Sequence, residues 1–439
     1  MKSMPLNGIK VLCILSESWT ETNTWLPLSF DALSDAGAEI AAIHIPGAWV
    51  PESVVKQYPL EDDVTLYTPP LRLSSCSQHR NRLVRIASNL ARNAIRYLSK
   101  SVHRRYVTAR RRFLFRNIIK TRPKIEDYDL ESFYLSIYDA IMDYRPDIIW
   151  VLKGWYLDVA IRTAREIGAR IVFEHSDLCF SGDGANENLA RWMPYEAKLA
   201  SQASGTIVCA PGYIEYYQRY AYPLTIERIA ARWLTPQGIV NLPSYPHRPL
   251  RCVAFGIIHR TRLPERLISA FHLTNGIATL HFQGEDQTSP SDGTVYHAVQ
   301  AVVNGQHPTI SASAPIPADR ILDEISEYDV GIVLHDTDSE GRVHCLTTKV
   351  CTYLSCGLVV LSIDTPGMRA GLGDSEAVIY LKDTTVSGIA EGIQKIAAMS
   401  DEEIMHRKHQ ALELARRHAW DTIGKAEYID TFTQALKGR

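Results

Sequence analysis

The sequence predicts an α/β protein in which two Rossmann-like βαβ domains face a central cleft. Short apolar runs alternate with segments of helical period along most of the chain, and this βαβ rhythm occurs twice. A proline-containing polar segment, 238–251, separates the two series as a linker would. With 439 residues the chain is also too long for one ordinary core.

The predicted strands are continuous apolar runs rather than alternating ones, as expected for parallel strands covered by helices on both faces. The runs lie at 9–15, 39–45, 147–152, 169–175, 205–210, 251–256, 278–284, 329–335, 357–363 and 377–381. Segments of helical period lie between them at 25–36, 128–143, 155–167, 187–203, 318–326 and 384–417. We therefore expect one domain over 1–240 and a second over 250–415, with ligands at the carboxyl ends of the strands.

Composition places few limits on function. The formal net charge is -2, so the whole chain has no electrostatic preference for nucleic acid or membrane. Its eight cysteines show no metal-ligand or CxxC spacing, which fits a reducing compartment, and the apolar run near the N-terminus is too short for a signal peptide. We expect a cytoplasmic protein. Walker, HExxH and G-x-S-x-G motifs are absent, which disfavours nucleotide hydrolysis, zinc proteolysis and serine hydrolysis.

The segment 79–124 does not follow the βαβ pattern. It contains 15 lysines and arginines and no acidic residue, with apolar residues interleaved at helical spacing. One interpretation is a solvated or partly disordered helical insertion. The other is a surface for anionic lipid headgroups or another polyanion, because the charge density exceeds that of an ordinary solvated face.

The stretch "HCLTTKVCTYLSCGLVVLS", 344–362, predicts a loop, a helix of about three turns, a glycine stop and a buried strand. A helix N-terminus presents free backbone N–H groups and the positive end of a dipole, so it favours an anion. Thr347, Thr348 and Lys349 lie at this helix start. An ordinary cap with an exposed lysine is the alternative, and the context favours phosphate binding.

Further polar residues follow predicted strands. Gly256 precedes Arg260 and Arg262 in a loop where glycine permits close approach and arginine can clamp phosphate. Either arginine alone could equally be a surface residue. In the first domain, Lys153 and Gly154 end one strand, and a lysine buried there without a partner would be costly. The cluster Glu174, His175 and Asp177 ends the next strand, although His175 alone could be structural.

The order of these segments resembles a known family. "VAFGIIHRTRLPERLISAF" (253–271), then "LHFQGEDQ", "ILDEISEYDVGIVLHDTD" and "TTKVCTYLSCGLVVLSIDTPGMRAGLGD", resembles the second domain of the retaining, nucleotide-sugar-dependent GT-B glycosyltransferases of family 4. "YRPDIIWVLKGWYLDVAIRTAREIGARIVFEHSDLC" is similar to the spore-maturation-type glycosyltransferases. The resemblance covers most of the chain except roughly 50–125. It implies that the last segment, 416–439, is a helix that crosses back to the first domain.

The resemblance implies a role for each candidate residue. The donor diphosphate sugar would contact Gly256, Arg260, Arg262, Glu340, His344, Thr347, Thr348, Lys349 and Thr352. Catalysis would involve Lys349, Arg260, His175 and Asp177. The acceptor would contact Ser18, Trp19, Lys153, Gly154 and Glu174. The chain departs from the family at Thr352 and His344, where acidic residues are usual, and Glu340 or Asp338 could serve instead.

The expected function is a hexosyl or related transfer from a nucleotide diphosphate sugar, with retained configuration and without a metal or other cofactor. Polysaccharide, glycolipid or glycoconjugate biosynthesis would be its setting. No enzyme nucleophile is assigned, because in the retaining class the acceptor attacks from the leaving-group side. Domain closure would exclude water. The basic segment would hold the enzyme near lipid-linked acceptors at the inner membrane face.

Two other classes of function stay open. A catalytically lapsed GT-B protein could bind a sugar nucleotide or a protein partner, and donor turnover would count against it. A nucleic-acid-modifying glycosyltransferase could use 79–124 as a polyanion clamp, and salt-sensitive binding to duplex DNA would support it. The near-neutral total charge ranks this last alternative third.

Overall fold

A computed structural model describes residues 4–15, 25–44, 64–67, 100–124, 133–152, 154–175, 185–208, 210–220, 240–317 and 320–437. The chain divides into two units. The first unit comprises Met1–Val208, Tyr217–Glu227 and Tyr428–Arg439, and the second comprises Cys209–Tyr216 and Arg228–Glu427.

The first unit is built on a parallel sheet. Its six strands within the described residues have the order β3-β2-β1-β4-β5-β6. They are β1 (Lys10–Leu15), β2 (Glu39–His44), β3 (Val64–Tyr67), β4 (Ile148–Leu152), β5 (Arg170–His175) and β6 (Gly205–Val208). The direction of strand addition reverses between β1 and β4, which is where doubly wound sheets open a ligand crevice at their carboxyl edge.

Helices connect these strands and cover the sheet. They are α1 (Trp25–Asp35), α2 (Lys100–Thr121), α3 (Tyr134–Tyr144), α4 (Leu157–Ile167) and α5 (Ala185–Ala200). The next helix, α6 (Gly212–Gln218), belongs to the second unit up to Tyr216. In α4, the first five residues are all buried and only Arg165 and Glu166 near its end are exposed, and Gly168 ends the helix with φ 80°. The helix α2 leaves helical dihedral angles at Phe115.

The second unit has a sheet of the same topology. Its described strands have the order β12-β11-β10-β7-β8-β9. They are β7 (Leu250–Phe255), β8 (Ala278–Gln283), β9 (Ile310–Ser313), β10 (Val330–Val333), β11 (Val359–Ser362) and β12 (Val378–Tyr380). The reversal here lies between β7 and β10, and every pairing is parallel.

The helices of the second unit follow the strands in the βαβ order. They are α7 (Pro264–His272), α8 (Thr294–Val303), α9 (Ile321–Ile325), α10 (Glu340–His344), α11 (Thr348–Ser355), α12 (Pro366–Leu372), α13 (Val386–Ala397) and α14 (Asp401–Arg417). A cluster of buried side chains from both faces of the sheet forms the core, and it includes three of the four residues of β11, namely Val359, Val360 and Leu361.

The last helix, α15 (Lys425–Lys437), packs in the first unit from Tyr428 onward. Its Tyr428 and Phe432 rings lie 6.0 and 5.8 Å from the Trp150 ring in β4. The Tyr428 hydroxyl donates to Glu174 Oε2 at 3.0 Å. The first unit therefore includes residues that follow the whole of the second unit in the chain.

The structure agrees with most predicted elements and differs at specific points. Strands β3 and β9 were not predicted. The helix after Thr347 ends at Ser355 and has eight residues, so it makes about two turns rather than the predicted three. The predicted helix 384–417 is two helices, since the Ser400 side chain caps a new helix by accepting from the Glu403 backbone N–H.

The described part of the basic segment, 100–124, contains α2, and residues 79–99 lie outside the described residues. Among the helices described, none is both long enough and apolar enough to cross a membrane.

Candidate anion-binding site

The carboxyl edge of the second sheet carries three loops that are tied together by backbone hydrogen bonds. The loop after β7 pairs with the loop after β8, since Ile258 N–H donates to the Glu285 carbonyl at 2.8 Å. It also joins the loop after β10, where Asp336 N–H donates to the Thr261 carbonyl at 2.9 Å. These bonds fix the loop that carries Arg260 and Arg262.

Lys349 and Gly256 meet at this edge. Gly256 follows β7 with φ +98°, a conformation that favours glycine. A Cβ at this position would lie 2.6 Å from Lys349 Cε and 3.1 Å from Lys349 Nζ. The lysine in the first turn of α11 therefore lies directly over the glycine, and the two predicted donor residues are in contact.

Lys349 is a cation in a site with excess positive charge. Burial of the amine, with a further contribution from the Arg262 guanidinium, lowers the pKa of Lys349 from 10.5 to about 7. The residue as a whole is half-buried, and its amine lies beside Gly256. No carboxylate among the described residues lies within ion-pair distance of it. A bound anion would supply the missing negative charge.

Lys349 and Arg262 line the same pocket, which is open to solvent. Its walls are otherwise apolar and come from β7, the loop that follows it, α7, β8 and β10. The remaining lining residues are Ala254, Phe255, Ile257, Ile258, Pro264, Leu267, Phe282, Ile332, Val333 and Leu334. The low polarity of these walls strengthens electrostatic attraction between the two cations and an anion.

Tyr353 holds α11 against the sheet beneath the site. Its hydroxyl accepts from Phe255 N–H at 2.7 Å, at the last residue of β7. Its ring lies over β10, where a Cβ on Gly331 would come within 2.2 Å of the ring. Burial raises the pKa of Tyr353 above the ordinary range, so the hydroxyl stays protonated. This residue was not among the predicted site residues.

The two predicted arginines have different surroundings. Arg262 lines the pocket with Lys349, whereas Arg260 is exposed and its Nε lies 4.0 Å from Asp292 Oδ1. Both belong to the short 3-10 turn Arg260–Arg262, in which His259 Nδ1 accepts from Thr261 N–H. The structure therefore brings Arg262 and Lys349 together. The catalytic role of Arg260 stays a prediction.

The other predicted residues of α11 lie along its first turns. Thr347 is the N-cap residue, and its side chain makes no capping hydrogen bond. Thr348 is exposed in the first turn. Thr352 is buried and its hydroxyl donates to the Thr348 carbonyl at 3.3 Å, within the helix. The hydroxyl is therefore occupied where the family usually has a glutamate.

Glu340 and His344 form a pair within α10. His344 Nε2 lies 3.1 Å from Glu340 Oε2, and the imidazole is buried with its ring 5.5 Å from that of Tyr216, also in the second unit. These contacts are those of a packed structural residue. Donor binding by this pair, or by the exposed Asp338, stays a prediction.

The loop after β10 contains polar residues that the sequence analysis missed. His335 is fully buried, and this burial lowers its pKa to about 4. Its Nδ1 bonds the Asp336 carbonyl at 2.9 Å, so Nδ1 carries the proton and Nε2 is an acceptor. No described residue bonds Nε2. Asp336 itself pairs with Arg342. Only the position of His335 after a strand could have indicated it.

Three predicted residues of the first unit lie at the ends of β4 and β5. His175 is buried with Nε2 3.4 Å from Glu196 Oε1, and burial lowers its pKa to about 3. A Cβ on Gly154 would lie 1.7 Å from Glu196 Oε2, so the glycine makes room for this carboxylate. Glu174 is fully buried and accepts from Trp150 Nε1 at 2.9 Å as well as from Tyr428.

The contacts of Glu174 are therefore those of a buried structural carboxylate, and its acceptor role stays a prediction. Ser18, Trp19, Lys153 and Asp177 lie outside the described residues. Within the described ranges, no group of three or more His, Cys, Asp and Glu side chains is placed to hold a metal ion.

Comparisons with known proteins identify the fold. No protein-family model matches the chain. No curated protein gives a significant match. Among solved structures, sucrose-phosphate synthase from Thermosynechococcus elongatus is similar with a TM-score of 0.63 at 14% identity, covering 98% of this chain and 99% of that one.

Two further solved structures are also similar to this chain. A glycosyltransferase from Rickettsia africae has a TM-score of 0.61 at 10% identity, with 98% of this chain and 99% of that chain covered. HepE from Anabaena, in complex with UDP and glucose, has a TM-score of 0.59 at 12% identity, with 97% and 99% covered. These are GT-B glycosyltransferases, as the sequence analysis predicted. The chain therefore has the GT-B fold, with two Rossmann-like domains.

Proposed function

We propose that this protein is a glycosyltransferase that uses a nucleoside diphosphate sugar. The observation that carries the proposal is the contact between Lys349 and Gly256 beside Arg262, at the strand-order reversal of the second sheet. The Lys349 amine, which has no described carboxylate within ion-pair distance and lies next to a guanidinium, is suited to a diphosphate. The backbone N–H groups at the start of α11 add to this attraction.

The proposed reaction breaks the bond between the anomeric carbon of the sugar and the oxygen of the diphosphate. The electron pair of that bond goes to the diphosphate oxygen, while an acceptor hydroxyl oxygen bonds the same carbon. The proton of the acceptor passes to the departing diphosphate. Lys349 and Arg262 would stabilise the charge that grows on the leaving oxygen, which is where electrostatic stabilisation lowers a barrier most.

Several finer features belong to the proposal. Transfer with retained configuration, independence of metal and a role in polysaccharide, glycolipid or glycoconjugate synthesis rest on the family resemblance alone. The neighbouring HepE structures contain UDP or UDP-glucose, which makes uridine nucleotides the first donors to test.

A lapsed GT-B protein that binds a sugar nucleotide or a protein partner is the second candidate. The observation in its favour is Thr352, whose short hydroxyl is bonded within α11 and cannot reach as a glutamate would. Release of the nucleotide from its sugar by the purified protein would exclude it.

The test is a thermal-shift screen of the protein against UDP, GDP, dTDP, ADP and CMP. A ligand that binds only the folded state at about 100 times its Kd stabilises that state by about 2.7 kcal/mol. We expect one diphosphate to raise the melting temperature of the wild type and to have no effect on Lys349→Ala.

The matched control is Lys395→Ala, which removes an exposed lysine of the same unit. This variant should keep the full shift. A diphosphate shift that survives in Lys349→Ala would place the ligand elsewhere, and no shift with any nucleotide would favour the partner-binding candidate.

A further inference from the structure

We infer that one face of α2 is a docking surface for an anionic lipid membrane. The surface, called here the cationic stripe, consists of Arg112, Phe113, Arg116 and Lys120, all of which are exposed. Arg112 and Phe113 precede the break in helical geometry at Phe115, and Arg116 and Lys120, which are four residues apart, share one face of the helix after it. The inference does not depend on the proposed catalytic function.

The opposite face of α2 is held against the first unit. Arg110 makes two hydrogen bonds to the Asp139 carboxylate, at 2.8 and 2.6 Å. Phe115 packs edge-on against Tyr134, with ring centroids 5.3 Å apart. Arg122, the first residue after the helix, stacks over the Trp192 ring at 5.1 Å. The fold uses these side chains for attachment and leaves the cationic stripe on the surface.

The charges of the stripe are not balanced within the described protein. No described carboxylate lies within ion-pair distance of Arg112, Arg116 or Lys120, whereas Arg110 on the attached face is paired. The sequence around them, 79–124, contains 15 basic residues and no acidic one. An extended anionic surface is the complementary partner, since each basic residue near such a membrane contributes about 1 kcal/mol of attraction.

Phe113 decides between a membrane and a nucleic acid. Its ring is 85% exposed, and in the chain it follows Arg112 directly and precedes Arg116 by three residues. Exposure of a large apolar side chain is unfavourable in water, and aromatic rings are stabilised at the headgroup level of a bilayer. Proteins that stack unpaired bases do so within positively charged grooves. A ring protruding from a helix is suited to a lipid interface.

The experiment measures binding of the full chain to vesicles by co-sedimentation. One set of vesicles is pure phosphatidylcholine, and the other contains phosphatidylglycerol at about a third of the lipid. The test variant is Arg112→Gln/Arg116→Gln/Lys120→Gln. We expect wild type to bind only the anionic vesicles, and the triple variant to bind them about a hundredfold more weakly, at about fivefold per charge.

The matched control is Lys382→Gln/Lys395→Gln/Arg417→Gln, which removes three exposed positive charges from the second unit. It should bind as the wild type does, which separates the stripe from a change in net charge. The single variant Phe113→Ser should also bind anionic vesicles more weakly than the wild type, although its charge is unchanged. Melting temperatures of all variants verify that they fold, as expected for exposed positions.

The inference would be overturned if the triple variant bound anionic vesicles as well as the control variant does. It would also be overturned if the wild type did not bind anionic vesicles. Equal binding to pure phosphatidylcholine would also overturn it, because the stripe charges would then be irrelevant. Displacement of the wild type from anionic vesicles by duplex DNA at an equal concentration of phosphate would assign the stripe to nucleic acid instead.

Discussion

At the scale of single residues, Lys349 combines a position at a helix start with a buried amine and a cationic neighbour. Each factor favours the neutral amine in the absence of a ligand, and a bound anion reverses that preference. The pKa of about 7 places this change within the physiological range. The proposed donor site is therefore sensitive to proton concentration.

We predict that diphosphate affinity falls as the pH rises from 7.5 to 9. Above its pKa, the charged fraction of Lys349 falls by about tenfold per pH unit. Binding of the diphosphate then requires the amine to take up a proton. The last proton of a phosphate group leaves near pH 6 and contributes little in this range. Lys349→Arg stays charged throughout. Calorimetric titration at several pH values should show a falling affinity for the wild type alone.

The comparison concerns the slopes of the two pH profiles, so a different absolute affinity of the arginine variant does not affect it. Parallel slopes would mean that Lys349 does not titrate in this range.

At the scale of elements, the site depends on a close approach between α11 and the end of β7. Gly256 and Lys349 are far apart in the sequence, and only the parallel pairing of β7 with β10 and β10 with β11 brings their elements together. The approach works because the glycine has no side chain and has a positive φ.

We predict that Gly256→Ala abolishes the diphosphate-induced thermal shift. The new Cβ would displace Lys349, and the positive φ adds strain of about 1–2 kcal/mol. Gly276→Ala is the matched control, because Gly276 also has a positive φ of +79° but has no atom within 4 Å of the new Cβ. Both variants should melt at lower temperature, and only Gly276→Ala should keep the nucleotide response. Retention of the response by Gly256→Ala would contradict the assigned geometry.

The elements also show how far the sequence was informative. Strands buried on both faces, such as β4 and β11, were predicted because their apolar runs are continuous. The two missed strands, β3 and β9, lie at sheet edges. In β9, Ser311 and Ser313 are exposed, so its apolar run is broken. A helix start near Thr348 was predictable because polar residues precede an apolar helical pattern, although Thr347 makes no capping hydrogen bond. That Arg262 rather than Arg260 lines the pocket could not be predicted, because it depends on the path of a 3-10 turn.

At the scale of the whole molecule, the same strand order occurs in both units although their sequences differ. The first unit is closed by α15, whose Tyr428 binds the fully buried Glu174. The predicted return of the last helix to the first domain came from the family resemblance. Its attachment through Glu174 could not be predicted, since Glu174 was assigned to the acceptor.

We predict that Tyr428→Phe destabilises the first unit by about 1–3 kcal/mol, because a buried carboxylate loses a hydrogen-bond donor. Urea unfolding followed by tryptophan fluorescence is the measurement, since Trp150 lies beside the substituted ring. Tyr380→Phe is the control, because its exposed hydroxyl donates to the Gly373 carbonyl in the second unit. It should change stability by less than about 0.5 kcal/mol. Equal effects of the two changes would contradict the structural role of Tyr428.

Glu174 and Tyr428 lie 254 positions apart in the chain. At about 5–20 residues per second, a ribosome needs about 10–50 s to pass from one to the other. The described strands of the first sheet are all translated well before α15, the helix that contacts Trp150 and Glu174. The residues 228–427 of the second unit are translated within the same interval. The contact between Tyr428 and Glu174 in the first unit can therefore form only after this long stretch of the second unit has been translated.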